Sequence, residues 1–350
     1  MKVDYLIVGQ GLAGSLLAFE LLRAKHSVFV IDNPNETKAS NVAAGVVNPI
    51  VFRRMTKSWL IDELYPQLLR SYSELENLLK TKLFYPMPVK KVMGDGESDF
   101  WQKKFTENEL QAYISQNITA PDSPFVNAAH GIGTVHASGR VDLKLLVEKI
   151  KDHLTQTSSV RAEVFDFDDM QLSGSGVTYR SISARKVIFC EGHSVSKNPY
   201  FSDIQFKHTK GEVLRIRTKN YDKNVVLNKA MFLMPEGEQL YRLGATYDWN
   251  DLSPQTTTKA RRELEARLEA VFTDQCRVVD QQAGIRPTTH DRRPVVGLHP
   301  AHPQVGIFNG LGSKGAMLGP YFARQLARFL CGEAETIHPE VHIKRYFQNQ

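Results

Sequence analysis

The chain has 350 residues, 42% hydrophobic and 23% charged, with a formal net charge of +6. That length exceeds one small core and fits two domains, or one large domain with insertions. No apolar run approaches the roughly 20 residues of a membrane span, and the basic pairs Arg53/Arg54, Lys90/Lys91, Arg261/Arg262 and Arg292/Arg293 lack the density of a nucleic-acid arm, so an acidic small molecule is favoured over RNA as a partner.

Residues 3–32 read as strand, glycine-rich turn, helix and strand. Tyr5-Leu6-Ile7-Val8 precedes Gly9-Gln10-Gly11-Leu12-Ala13-Gly14, and Leu16, Leu17, Phe19 and Leu21 give the following helix an apolar face. The second strand, Val28-Phe29-Val30-Ile31, ends at Asp32, eighteen residues beyond Gly14. An acid at that distance meets the adenosine ribose in a Rossmann unit, and it opposes a 2′-phosphate. The start of the chain shows no signal-peptide pattern.

A run of small residues follows, from Ala39 to Pro49. Ser40, Ala43, Ala44 and Gly45 would let backbone approach a planar ligand. Asn48 is a further candidate for that surface, although Asn before Pro is also ordinary turn chemistry. Residues 61–80 predict one or two amphipathic helices around Pro66, and Phe84 to Met93 reads as strand. Gly94 to Ala128 is polar and irregular.

Gly139-Arg140-Val141-Asp142 leads into a helix that Asp142 is placed to cap. Strands near 162–167 and 176–181 precede Lys186 to Gly192, read as a buried strand that returns to the first sheet and ends in a turn at Gly192. Residues 210–217, 231–234 and 240–245 suggest a second, antiparallel sheet, and a helix follows from Thr256 to Phe272. After Gly284-Ile285-Arg286-Pro287 comes a second loop, Gly310-Leu311-Gly312-Ser313-Lys314-Gly315, behind the strand-like Val305–Phe308 and before a helix from Ala316 to about Leu330. Each glycine loop can aim free backbone N–H groups at an electron-rich ligand. Two of them, with an arginine segment between, point to a flavin gripped by both ends of the chain.

The expected fold is therefore α/β. A Rossmann-like cofactor-binding domain is assembled from residues 1–52, 133–198 and 284–350, and a substrate domain with a mixed, largely antiparallel sheet from 53–132 and 199–283. Cys190, Cys276 and Cys331 form neither a disulfide framework nor a CxxC pair, which points to a reducing cytoplasm.

With these pieces placed, the chain resembles the D-amino-acid oxidase-like FAD oxidoreductases, in particular the glycine oxidase and sarcosine oxidase branch. The resemblance runs nearly end to end, and its most specific part is Ala283-Gly284-Ile285-Arg286-Pro287-Thr288-Thr289-His290-Asp291-Arg292-Arg293-Pro294-Val295-Val296-Gly297. It implies FAD as cofactor, held by Gly9, Gly11, Leu12, Ala13, Gly14, Asp32, Ser40, Ala43, Ala44, Gly45, Asn48, Gly192, Gly310, Gly312, Ser313, Lys314 and Gly315. It also implies that Arg286 anchors a substrate carboxylate, a role that suits a planar guanidinium able to clasp a carboxylate with two parallel hydrogen bonds. Lys314 would add positive charge near the reduced ring, or else is a solvated surface lysine. Where glycine oxidase relatives carry a tyrosine near the substrate, this chain has Phe232, and Tyr241 or Tyr247 would have to compensate.

The implied activity is dehydrogenation of the C–N bond of a small carboxylated amine, an amino acid or N-substituted glycine, by hydride transfer to flavin. Oxygen or another acceptor then takes the electrons. No histidine is required as base, and His136, His208 and His290 read as structural or exposed. The last glycine loop is also similar to the oxidase domain of the enzyme that trims carboxymethylaminomethyl-uridine in tRNA, which leaves that reaction as an alternative. A quinone- or carrier-linked amino-acid dehydrogenase is another. A non-catalytic flavoprotein would leave Arg286 without purpose.

Overall fold

The computed structural model describes residues 1–107, 110–174, 176–221 and 224–347. The first sheet has a parallel centre. Strand Lys2–Val8 lies between Val28–Asp32 and Ile182–Phe189, Val160–Ala162 extends the sheet beyond Val28–Asp32, and Val305–Asn309 extends it on the other side. The long strand Ile182–Phe189 serves two neighbours. Its first half pairs antiparallel with Gly176–Tyr179, its last residues parallel with Val305–Asn309, and Val295–Leu298 closes that edge antiparallel. Chain order reverses around Lys2–Val8, so the crevice at the carboxyl ends of the parallel strands is where such a sheet takes a ligand.

One face of the sheet is covered by helices Leu12–Arg23, Leu143–Gln156 and Gly315–Leu330. The first and last of these touch closely. A Cβ on Gly315 would lie 2.9 Å from Leu12 Cδ2, and one on Gly319 would lie 2.6 Å from Leu16 Cδ1. Glycine at these two positions thus brings the two glycine loops together, although some 300 residues separate them in sequence. Asp142 caps its helix as expected, accepting from Leu145 N at 3.1 Å.

The second sheet has seven strands, in the order Arg277–Arg286, Thr209–Arg217, Leu240–Gly244, Phe232–Gly237, Val226–Asn228, Val89–Val92 and Ile132–Val135. All its pairs are antiparallel except that between Val226–Asn228 and Val89–Val92. A core of Leu214, Leu233, Leu243 and Tyr241 packs there beneath helix Thr258–Glu269.

Several elements depart from the sequence reading. Gly133–Val135 and Gly284–Arg286, assigned above to the cofactor-binding portion, are hydrogen-bonded into the second sheet. That assignment also took in residues 175 and 348–350, and the substrate portion residues 108, 109, 222 and 223, all of which lie outside the described residues. Residues 61–79 form one helix, because Pro66 lies in its second turn and forfeits only the bond to the Asp62 carbonyl. The segment read as irregular contains the helix Glu97–Thr106, whose only buried side chain is Trp101.

Candidate active site and cofactor cleft

A cleft of about 480 Å³ runs from the first glycine turn, across the small-residue segment, to Arg286 and the second glycine loop. Its floor is the start of helix Leu12–Arg23, whose N-cap, Gly11, offers no side chain to the free N–H groups, and no acid occupies the first turn. Such a helix end favours an anion. The glycines of this turn have different tasks. Gly9 has φ +98°, and a Cβ there would sit 2.5 Å from Cys190 O, while a Cβ on Gly14 would sit 1.9 Å from Gly9 O. A Cβ on Gly11 meets only Ser40 Oγ, at 3.7 Å, so its absence keeps the cleft open and serves no packing need.

Ser40 is buried, and its Oγ has no hydrogen-bond partner among the described residues. A buried hydroxyl left unpaired in the wall of a cleft suits a polar ligand atom. Asp32 lies at the end of its strand, as expected, with Oδ1 accepting from Gln10 N at 2.9 Å and Oδ2 in a 2.5 Å ion pair with Lys38. The glycine turn, the orphaned Ser40 and the acid at the strand end together fit the phosphates and ribose of FAD.

Ala43, Ala44 and Gly45 line the next part of the cleft. Their path is fixed from the second sheet, where Arg242 Nη1 donates to Val42 O at 2.8 Å and Ala43 O at 3.1 Å while Glu236 holds its other side. Leu12, Ala13, Gly192, Gly312, Ser313 and Gly315 also line the cleft. Four candidates do not. Gly14 is buried under Gly9, and Gly310 packs against Thr289 and the Arg293 carbonyl. Asn48 spends its Oδ1 on Ile50 N in a local turn. Lys314 points to Ser58 Oγ, 2.9 Å away.

Arg286 sits at the far end, on the last residue of its strand. Its Nη atoms donate to Lys210 O and Thr246 O at 3.3 Å, and its guanidinium carbon lies 4.4 Å from the centre of the Tyr247 ring. Burial lowers its pKa, and among the described residues no carboxylate forms an ion pair with it. Gly211, on the adjacent strand, makes room for it, since a Cβ there would lie 2.1 Å from Arg286 Nη2. A glycine inside a strand often marks a close approach, so this role was readable in Lys210-Gly211-Glu212-Val213. Gly211→Ala is therefore expected to displace the guanidinium and lower kcat/KM for a carboxylated substrate about tenfold to a hundredfold, with FAD content unchanged. Steady-state kinetics and the flavin-to-protein ratio check this.

Of the aromatic candidates, Phe232 and Tyr247 line the cleft, whereas Tyr241 points away and donates to Tyr221 O at 2.6 Å in the second core. None of His136, His208 and His290 lines it, but His193 does.

Glu191 was not anticipated. It lines the cleft, and enclosure by its walls raises its pKa from the ordinary 4.5 to about 7; the bond from Asn198 opposes the rise and the Glu36 charge adds to it. Between those values the folded protein keeps a proton that the unfolded chain has released, so stability falls as pH rises through that window. Glu191→Gln is expected to flatten this slope and to raise the melting temperature above pH about 7, as a series of melts across pH would show.

Known proteins share this fold. Residues 4–329 match the family model DAO, FAD dependent oxidoreductase. The uncharacterized oxidoreductase YurR of Bacillus subtilis is 24% identical over 373 residues, covering 94% of this chain and 95% of that protein. The tRNA 5-methylaminomethyl-2-thiouridine biosynthesis bifunctional protein MnmC of Shewanella amazonensis is 21% identical, and the match covers 97% of this chain but 58% of that longer protein. Among solved structures, glycine oxidase from Geobacillus kaustophilus superposes with a TM-score of 0.83 at 20% identity, covering 98% of this chain and 99% of that one. Iminodiacetate oxidase from Chelativorans sp. BNC1 gives 0.81 at 20% identity over 97% and 98%. The protein belongs to the DAO family of FAD-dependent oxidoreductases.

Proposed function

We propose that this enzyme dehydrogenates the C–N bond of a small amine that carries a carboxylate. The observation that carries the reading is Arg286, a largely enclosed guanidinium that faces the cleft and, among the described residues, has no carboxylate of its own. Two backbone carbonyls and the Tyr247 ring orient it, and a substrate carboxylate would complete its bonding. FAD, when bound, supplies the hydride acceptor. The chain's own part is to anchor the carboxylate at Arg286, to present the amine beyond it, and to keep that end of the cleft apolar with Phe232 and Ala245. Glycine and iminodiacetate, which give the two structural neighbours their names, are both carboxylated amines.

In this reading the lobe of the first sheet holds FAD and that of the second presents the substrate. Cys190, Cys276 and Cys331 are free thiols, which supports a reducing compartment, the cytoplasm; no helix among the described residues is long and apolar enough to cross a membrane. The test is an oxygen-free titration of the yellow protein with glycine, sarcosine, D-alanine, D-proline and a carboxymethylaminomethyl nucleoside. Bleaching of the flavin band by one of them identifies the substrate class, and admission of air then shows whether oxygen is the acceptor. A flavin that none of them bleaches would overturn the small-amine reading. The likeness to MnmC favours a second reading, trimming of a carboxymethylaminomethyl group on tRNA, which the nucleoside and a salt-dependent tRNA binding assay would reveal.

A further inference from the structure

Tyr247 and Trp249 stand on the loop that leaves strand Leu240–Gly244, and their rings stack with 6.1 Å between centres and 25° between planes. Tyr247 lines the cleft and lies against the Arg286 guanidinium. Trp249 is not part of the cleft lining but is one ring away from it. It is 61% exposed, whereas Trp101 is buried and Trp59 stacks on Phe322. With Leu252, the pair gives one short loop three exposed apolar side chains. Such side chains scattered singly need no explanation, but a cluster at the edge of a cleft marks a contact surface.

The loop is braced in this position. Asp248 N donates to Lys210 O at 3.0 Å and Lys210 N to Asp248 O at 2.8 Å, a bridge to strand Thr209–Arg217. The buried Lys210 amine holds Asp251 at 2.5 Å. Asp248 Oδ1 accepts from Asn250 N and Asp251 N, and Asp251 Oδ1 from Ser253 N. Both acids thus serve the loop itself, while the rings meet solvent. The carbonyls that take the Arg286 donors belong to the same frame: Lys210 O, which also accepts from Asp248 N, and Thr246 O, from the residue before Tyr247. Trp249 is therefore held in a fixed relation to the carboxylate anchor, and a flat surface set in advance costs little entropy to cover.

We propose that Trp249, with Tyr247, is a stacking platform that selects amines whose nitrogen carries a planar ring on a short linker. The proposal rests on the amine-oxidising reading and narrows it to N-(arylalkyl)glycines, with the carboxylate on Arg286 and the ring on Trp249.

The test uses the FAD-loaded protein without oxygen, titrated with N-(phenylalkyl)glycines and N-(cyclohexylalkyl)glycines of matching linker length. The two series are similar in apolar bulk and differ in the π face. At the best length the aromatic partner is expected to bind about three- to tenfold more tightly. This ratio is expected to fall to near unity in Trp249→Ala and to be largely kept in Trp249→Phe, which a role in bracing the loop alone would not produce. Equal affinities in the wild type, or a preference that survives in Trp249→Ala, would overturn the platform. Binding of tRNA that depends on Trp249, without any preference among the free glycines, would give the rings to a base in a strand and overturn the selection of a free ring. Calorimetry with phenyl- and cyclohexyl-alkanoates, which lack the amine, separates the platform from the reading it rests on. If the phenyl acids are preferred by the wild type and not by Trp249→Ala while no amine bleaches the flavin, the platform stands and the amine-oxidising reading falls.

Discussion

Arg286→Ala is expected to give a protein that is still yellow but binds carboxylated amines about 2–5 kcal/mol more weakly. The range reflects how much the charge pair is desolvated, and the surroundings of Arg286 argue for the upper half. Its burial lowers its pKa, Tyr247 covers one face, and its two protein acceptors are carbonyls at the long distance of 3.3 Å. The guanidinium is thus held in place while much of its hydrogen-bonding capacity stays unused, which is the arrangement that rewards an incoming carboxylate. The same variant should not lose stability. Removing an enclosed cation that has no counter-ion among the described residues relieves a desolvation cost, so the melting temperature is expected to hold or rise. Arg286→Lys keeps the charge but not the two parallel donors, and should recover only part of the affinity. Oxygen-free titrations followed at the flavin band, with melts of the same samples, check all three outcomes. Unchanged affinity in Arg286→Ala would remove the anchor from the site.

How much of this could be read from the chain depended on how local the cause was. The glycine loops were legible because strand, turn and helix follow one another within about a dozen residues, and Asp32 was legible because a Rossmann unit fixes its spacing. The helix Glu97–Thr106 was not, since it buries only Trp101 and so has no apolar stripe. The membership of Ile132–Val135 in the second sheet is a matter of which strand it pairs with, and no periodicity states that. The grip of Arg242 on Val42 and Ala43 joins residues about 200 apart. The pairing of Lys38 with Asp32 was local enough to notice, yet a lysine six residues past an acid carries no pattern of its own. The placement of Lys314 was left open by the sequence because its amine meets Ser58 Oγ, 256 residues away in the chain, only in the fold.

The sequence also treats Gly9, Gly11 and Gly14 alike, whereas the structure separates them by what a side chain at each would meet. Gly11→Leu is expected to give a folded, colourless protein whose affinity for FAD is at least about a hundredfold lower. The backbone at Gly11, φ −87° and ψ −161°, is open to any residue, and its Cβ would meet nothing nearer than Ser40 Oγ at 3.7 Å. The leucine side chain would therefore not strain the fold. It would stand in the cleft before the uncapped N–H groups of the helix, where the cofactor's phosphates are expected. Gly14→Ala is the contrasting control. Its Cβ would lie 1.9 Å from a backbone oxygen that cannot swing away, so it is expected to lower the stability of the apoprotein itself by about 1–3 kcal/mol or more. Far-UV circular dichroism and melts of the apoproteins tell the two effects apart: Gly11→Leu should melt with the wild-type apoprotein, Gly14→Ala below it. A Gly11→Leu protein that melts normally and remains fully yellow would place the phosphates of FAD away from this turn, and with them the role assigned to the first helix.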